Sequence, residues 1–290
     1  MKKVAIIGKN SYIGSHIRDR FQEDDGYEAF EVEAQDGAWH DVDFSDVDVV
    51  VQVAGIVHRP DVTDWHLYKS VNVDLPVEIA KEAKACGVKQ FVFLSTMGVF
   101  GVDKRLSPNV IDADTKPNPK SMYGQSKYDA EQLLMELSDE EFKVIIVRPP
   151  NVYGKGCRGG YITGFASVVR KLPLIPNAYN NVHQSVIYID NLSEFIFQAT
   201  VRDLSGVFMP QDDKAVSACE LMLAIASGLG LNRRASKFLG LFVPLVSWTS
   251  IAKKAYGGLE YSKELSDIKG IDYIRVPFDE AIQITVSGDD

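Results

Sequence analysis

VAIIGKNSYIG, residues 4–14, passes from a block of aliphatic and β-branched side chains through Gly8 into an amphipathic stretch that opens at Tyr12. The block reads as a buried strand and the stretch over 12–22 as a helix. Gly8 permits a tight turn between them, and Gly14 lets helix and strand approach closely. Backbone N–H groups at the start of such a helix can hold a pyrophosphate. Two glycines alone prove little, because any strand-turn-helix junction favours them.

The same alternation continues downstream. Apolar runs over 27–33, 47–55, 89–95 and 142–149 read as further strands, with helical patterns over 64–86 and 121–137 between them. Near-continuous apolar strands separated by helices imply a parallel sheet covered on both faces, so the expected class is α/β, a doubly wound Rossmann-type sheet. After Pro149 and Pro150 the pattern loosens. Gly and Pro clusters at 154–160 and 172–177 introduce helical segments near Phe165, Asn191, Ser217 and Phe238. The division expected is a dinucleotide-binding domain over 1–155 and a smaller C-terminal lobe over 156–290, whose late elements are free to return to the sheet.

A chain of 290 residues buries about three quarters of its unfolded surface, enough for one large core or two fused lobes. Forty acidic against thirty-one basic residues give a net charge of −9, which argues against binding nucleic acid through its phosphates. Cys86, Cys157 and Cys219 are odd in number and widely spaced. That fits neither a disulfide framework nor paired metal ligands, so no metal is expected and the thiols are read as reduced, in the cytoplasm. MKKVAIIGKN at the N-terminus has two lysines and an apolar run, but the run stops at Gly8, short of a secretory core. The uncharged stretch over 238–252 is interrupted by Pro244 and falls below the roughly twenty residues of a membrane-spanning helix. The expected reading is a buried helix pair in the C-terminal lobe. The alternative is an interfacial helix with Lys253 and Lys254 at its edge.

At the cofactor end the turn residues Asn10, Ser11, Tyr12 and Ile13 lie between the glycines. Glu33, 25 residues after Gly8, closes the second strand, where a carboxylate accepts hydrogen bonds from an adenosine ribose diol. It would repel a 2′-phosphate, which makes NAD the expected cofactor over NADP. Asp41, with Val42 beside it, precedes the third strand and can meet the adenine amino group.

YGQSK, residues 123–127, opens a helix whose i, i+4 spacing puts the Tyr123 phenol and the Lys127 ammonium on one face. A cation beside a phenol favours phenolate and is expected to lower its pKa from about 10, making Tyr an acid/base near neutrality. Thr96 ends the fourth strand and presents a hydroxyl at the carboxyl edge of the sheet, where ligands bind in such folds.

With these residues in this order, the chain resembles the extended short-chain dehydrogenase/reductases, the NAD-dependent epimerases and dehydratases of nucleotide sugars. That family's turn is usually G-x-x-G-x-x-G, and this chain has Ser11 at the middle glycine, where a side chain would meet the pyrophosphate. VAG (53–55) resembles the segment lining the cofactor after the third strand, implying contacts from Val53, Ala54 and Gly55. YKSVN (68–72) ends on Asn72, which resembles the asparagine bracing the active-site backbone. FVFLSTMGVFG (91–101) places Thr96 at the catalytic hydroxyl. RPPNVYG (148–154) resembles the segment that contacts nicotinamide near Pro149 and the sugar nucleotide through Asn151. VIYID (186–190) resembles the strand before a helix of the substrate lobe.

Departures restrict the activity that the resemblance implies. Dehydratases carry Asp-Glu after the catalytic hydroxyl, whereas Met97 and Gly98 here cannot move protons. Gln184 stands near a position where the family often has a diphosphate-binding Arg, so His183, Lys155 or Arg158 would have to supply the charge. The implied activity is a 4-epimerase on a nucleotide-linked hexose, with Thr96, Tyr123 and Lys127 catalytic and Thr96, Asn151 and Gln184 at the substrate. A 4-keto-sugar reductase uses the same triad and is the alternative. A dinucleotide-binding regulator without chemistry is the reading from another class, and a membrane-attached enzyme touching lipid through the Phe238 region is a third. Family members are often homodimers through a bundle that would include the Tyr123 helix, which the resemblance allows without requiring.

Overall fold

The computed structural model describes residues 1–57, 64–101, 106–157 and 160–287. Six parallel strands form the central sheet: β1 (Lys2–Ile7), β2 (Tyr27–Val32), β3 (Val49–Gln52), β4 (Gln90–Leu94), β5 (Lys143–Val147) and β6 (Gly206–Phe208). Their order across the sheet is β2-β1-β3-β4-β5-β6. The chain leaves β1 in one direction for β2 and in the other for β3, so a crevice opens between the carboxyl ends of β1 and β3.

Both faces of the sheet are covered, which explains the unbroken apolar runs. Val4, Ile6, Val51, Val92 and Ile145 belong to one core; Ala5, Ile7, Val50, Phe91 and Ile146, one residue out of phase, belong to the other. The first core continues into α1 (Tyr12–Gln22), α5 (Tyr161–Lys171), α6 (Ile189–Val201), α7 (Ala218–Gly228) and α11 (Phe278–Val286). The second is closed by α3 (Leu75–Ala85), which follows the short α2 (Trp65–Lys69), and by α4 (Met122–Met135). β6 extends the edge of the sheet beside β5, and α6 packs on α1 through the Arg20–Glu194 ion pair and Arg20 stacked on Phe197.

Two-stranded ladders carry the cavity residues. Asn151–Tyr153 pairs with Val186–Tyr188, and His183–Gln184 with Val216–Ser217. Leu174–Pro176 pairs with Arg234–Ser236, and Val110–Ile111 with Glu260–Tyr261.

The buried helix pair expected over 238–252 is not what forms. The segment folds as α8 (Lys237–Gly240), a 3₁₀ turn (Val243–Val246) and α9 (Ser250–Tyr256), with α10 (Lys263–Ser266) beyond it. Among the residues of 238–252 whose burial is described, only Gly240, Val243 and Ala252 are buried. Gly240 packs so tightly on Asn177 that a Cβ would lie 2.0 Å from its carbonyl oxygen, leaving the large apolar side chains outside. No helix among the described residues is long and apolar enough to cross a membrane.

Candidate active site

The turn after β1 is built for close approach. Gly8 has φ +132°, and a Cβ there would lie 2.8 Å from Val53 Cγ2 and 3.0 Å from the Ala54 nitrogen, so β1 and the end of β3 meet with no room for a side chain. Asn10 takes a left-handed conformation at φ 62° and donates its N–H to Glu31 Oε2 at 2.9 Å. Ser11 departs from the family glycine for a visible reason. It is the N-cap of α1, its Oγ accepting from the Gly14 N–H at 2.9 Å, and its side chain is thereby turned into the helix end. A Cβ on Gly14 would lie 2.5 Å from that oxygen. A helix leaves the N–H groups of its first turn without intrahelical partners; Ser11 satisfies one, and those of Tyr12 and Ile13 remain for an anion.

Glu33 follows β2 directly, its Oε1 accepting from the N–H groups of Ala34 at 2.8 Å and Gln35 at 3.1 Å. Those bonds hold the carboxylate at the carboxyl edge of the sheet. Asp41 ends a 3₁₀ stretch and is exposed, while Val42 packs against the second core.

Asn72 is fully buried in a π-helical turn, Ser70–Asp74. Its Oδ1 accepts from the Ile56 N–H at 2.8 Å and its Nδ2 donates to the Ile56 carbonyl and to Ser126 Oγ, which in turn donates to the Tyr123 carbonyl. One amide thus fixes the segment after β3 against the first turn of α4. Gly55 sits between them: a Cβ would lie 3.0 Å from Asn72 Oδ1 and 3.2 Å from Lys127 Nζ.

Two cavities meet at the carboxyl edge. The smaller, about 150 Å³, is lined by Ile13, Val53, Gly55, Leu94 and Lys127 among others; the larger, about 470 Å³, by Gly98, Lys120, Asn151, Gln184 and Leu259 among others. Thr96, Tyr123, Pro149 and Pro150 line both. Val53, which packs on the Gly8 turn, and Ile13, in the open first turn of α1, line the smaller cavity together with Tyr123, so the turn, the helix end and the phenol border one space.

Thr96 caps a 3₁₀ turn by accepting from the Gly98 N–H at 3.0 Å and hydrogen-bonds the Tyr123 phenol. Lys127, buried, donates to the Leu94 carbonyl at 2.8 Å, with its ammonium 4.4 Å from the Phe93 ring centre. The expected lowering of the Tyr123 pKa is reversed in the unliganded chain. Burial pushes the phenol up to about 12 against the opposing Thr96 bond, while burial lowers Lys127 to about 8 against Glu131. An ammonium that loses its proton near 8 carries no charge where a phenol near 12 titrates, so the pair does not by itself produce phenolate.

Sequence reasoning missed the charged groups buried near Lys127. Glu131 and Arg148 form a buried ion pair, Arg148 Nη2 to Glu131 Oε2 2.5 Å and Nε to Oε1 3.0 Å, with Ser95 donating to the same carboxylate. Glu131 follows Lys127 by four residues on α4, so counting the helix face one turn further from Tyr123 would have found it. Among the proposed diphosphate cations, His183 lines a different cavity, Lys155 is exposed and lines neither, and Arg158 lies outside the described residues. Among the described residues, the cation that does line the larger cavity is Lys120.

A Rossmann-type sheet with a glycine cradle at its switch point and a Thr-Tyr-Lys group at the adjoining edge defines a dinucleotide-dependent enzyme of the short-chain dehydrogenase/reductase type. Residues 4–197 match the NAD dependent epimerase/dehydratase family, and the chain belongs to that family. It is 29% identical over 230 residues to the UDP-glucose 4-epimerase of Vibrio cholerae, spanning 76% of this chain and 69% of that one. It is 31% identical over 152 residues to the N-acetyl-alpha-D-glucosaminyl-diphospho-ditrans,octacis-undecaprenol 4-epimerase of Escherichia coli O157:H7, spanning 51% and 44%. Among solved structures, MoeE5 in complex with UDP-glucose and NAD superposes with TM-score 0.72 at 20% identity, covering 98% of this chain and 97% of that one, a likeness of fold.

Proposed function

We propose that the protein is an NAD-dependent 4-epimerase of a hexose carried on a diphosphate, with a nucleotide as the carrier. The observation that carries this reading is the junction itself: Thr96 and Tyr123 line both the cavity beside the glycine cradle and the larger cavity that Asn151, Gln184 and Lys120 enclose. A sugar in the larger cavity would present one hydroxyl to both groups at the wall it shares with the cofactor.

NAD, when bound, supplies the hydride acceptor and a positive ring charge. With the positive nicotinamide ring and the Lys127 ammonium together favouring its phenolate, Tyr123 would take the proton of the C4 hydroxyl, and Thr96 hydrogen-bonds the same oxygen and fixes its direction. Lys127, with a pKa of about 8, keeps its proton at neutral pH, adding a cation to the site and a donor for a ribose. Asn72 and Ser126 hold the α4 turn that carries Tyr123, so the phenol is positioned before substrate arrives. Lys120 faces the diphosphate. Glu33 prefers a ribose diol to a 2′-phosphate and so selects NAD over NADP. Met97 is apolar and Gly98 has no side chain, so neither supplies the further acid and base that dehydration needs.

The purified protein should be incubated with UDP- and dTDP-hexoses and their 4-keto forms while nicotinamide absorbance is followed. An epimerase interconverts C4 epimers, retains its NAD through purification and consumes none. Stoichiometric NADH consumption by a 4-keto sugar would instead make it a reductase. No reaction with any sugar despite tight NAD binding would make it a regulator.

A further inference from the structure

A feature that the catalytic reading leaves unused is the surface of residues 238–248. Trp248 is 79% exposed, Leu241 72%, Leu245 70% and Phe238 68%, with Phe242 and Val246 about half exposed beside them. Phe238 and Phe242 stack edge to face, 5.3 Å between centres, and all six side chains come from the one short stretch 238–248. Six large apolar groups standing together in water mark a surface that another phase covers.

Charge identifies that phase. Between Glu220 and Glu260 the sequence holds no acidic residue and five basic ones, Arg233, Arg234, Lys237, Lys253 and Lys254, in a chain of net charge −9. Arg234, Lys237, Lys253 and Lys254 are exposed and bracket the apolar patch in sequence. Apolar side chains with an aromatic tip, bracketed in sequence by cations and with no carboxylate between Glu220 and Glu260, match the acyl boundary and phosphate layer of an anionic bilayer. A second copy seated on this patch through its own copy of the patch would bring the same cations face to face, and that like-charge contact opposes the pairing.

We propose that the 238–248 patch is an interfacial membrane anchor that seats the protein on anionic lipid. Phe238, Leu241, Leu245 and Trp248 enter the acyl boundary while Lys237, Lys253 and Lys254 meet lipid phosphates. The anchor is tied to the substrate cavity: α9 ends at Tyr256, whose hydroxyl donates to the Pro176 carbonyl, and Leu259, three residues and at most about 10 Å of chain further on, lines the cavity.

The test is flotation of the full chain with vesicles of phosphatidylcholine alone or mixed with phosphatidylglycerol, together with tryptophan emission. Wild type should float with the anionic vesicles at least about tenfold more than with neutral ones, lose binding as salt rises, and show a blue shift that a W248F variant abolishes. The variant Leu241→Ser/Leu245→Ser/Trp248→Ser should lose about tenfold or more of the bound fraction, and Lys253→Glu/Lys254→Glu should lose the anionic preference. Both should retain the wild-type melting curve and wild-type turnover of a water-soluble sugar nucleotide, which separates failure of the anchor from failure of the catalytic reading. Absence of flotation by folded wild type would overturn the proposal. So would a concentration-dependent dimer that the triple serine variant dissolves, because the patch would then belong to a second copy.

Discussion

Beneath the carboxyl edge of the sheet, Lys127, Glu131 and Arg148 are ionisable groups held almost entirely out of water, whereas between 238 and 248 large apolar side chains stand in it. Each region gives up stability that the opposite arrangement would have supplied. The buried charges are paired, hydrogen-bonded and fixed in direction, as a site needs when it must place a proton on one oxygen. The exposed apolar groups have no such network and are held mainly by Gly240 and Val243 against the lobe. Substitutions should therefore separate the regions, with chemistry and stability sensitive at the first and only surface behaviour at the second.

The sharpest separation is in turnover. Tyr123→Phe should lower kcat by about 10²–10⁴-fold with NAD affinity retained, measured by steady-state kinetics and cofactor titration. Leu245→Ser should leave both unchanged on a soluble substrate. Full activity in Tyr123→Phe would remove the phenol from the mechanism.

Stability divides them next. Arg148→Met leaves Glu131 buried without its cation and should cost about 3–5 kcal/mol in urea unfolding. Leu245→Ser should stay within about 0.5 kcal/mol of wild type. Equal losses would mean that the apolar patch is packed in solution.

Lys127 offers a smaller effect of opposite sign. Its folded pKa of about 8 lies below the ordinary value of 10.5, so below pH 8 both states carry the proton and the folded state bears the whole penalty of a buried charge. Between about 8 and 10.5 the unfolded state binds more protons, and stability rises with pH. Lys127→Met should flatten that rise and stabilise the fold near pH 7 by about 1–3 kcal/mol while abolishing turnover. A variant less stable than wild type at pH 7 would show that the bond to Leu94 outweighs the desolvation.

The smallest effect concerns the cap at the cofactor turn. Ser11→Ala should cost about 1 kcal/mol and Ser11→Gly only a few tenths, both read from thermal melts, with NAD affinity kept in the glycine variant.

The sequence shows the first half clearly because strand period, helix period and turn glycines agree there. Val4–Ile7 alternates between two cores, so its apolar run admits one reading, and YGQSK fixes two side chains on one helix face by spacing alone. What spacing does not carry is the environment. The i, i+4 relation of Tyr123 and Lys127 was visible, yet the direction of their pKa shifts depends on burial, to which Leu94 and Phe93 contribute from another part of the chain, opposed at Lys127 by Glu131 one turn further along α4. Residues 238–252 misled for the converse reason. Apolar composition normally means core, and only the contact of Gly240 with Asn177 reveals that the segment turns its large side chains outward. Lys120 was invisible because it lies in a loop before α4 with no periodicity to place it.

The central claim is that one hydroxyl of the sugar is oxidised and reduced across the wall formed by Thr96 and Tyr123. It is tested most directly with the reacting sugar nucleotide carrying deuterium at C4, mixed with NAD-loaded enzyme. The account predicts slowed turnover and transient transfer of the deuterium to nicotinamide, with none of it passing to solvent. Epimerisation with no isotope effect on any step, or with deuterium washed out into water, would contradict it.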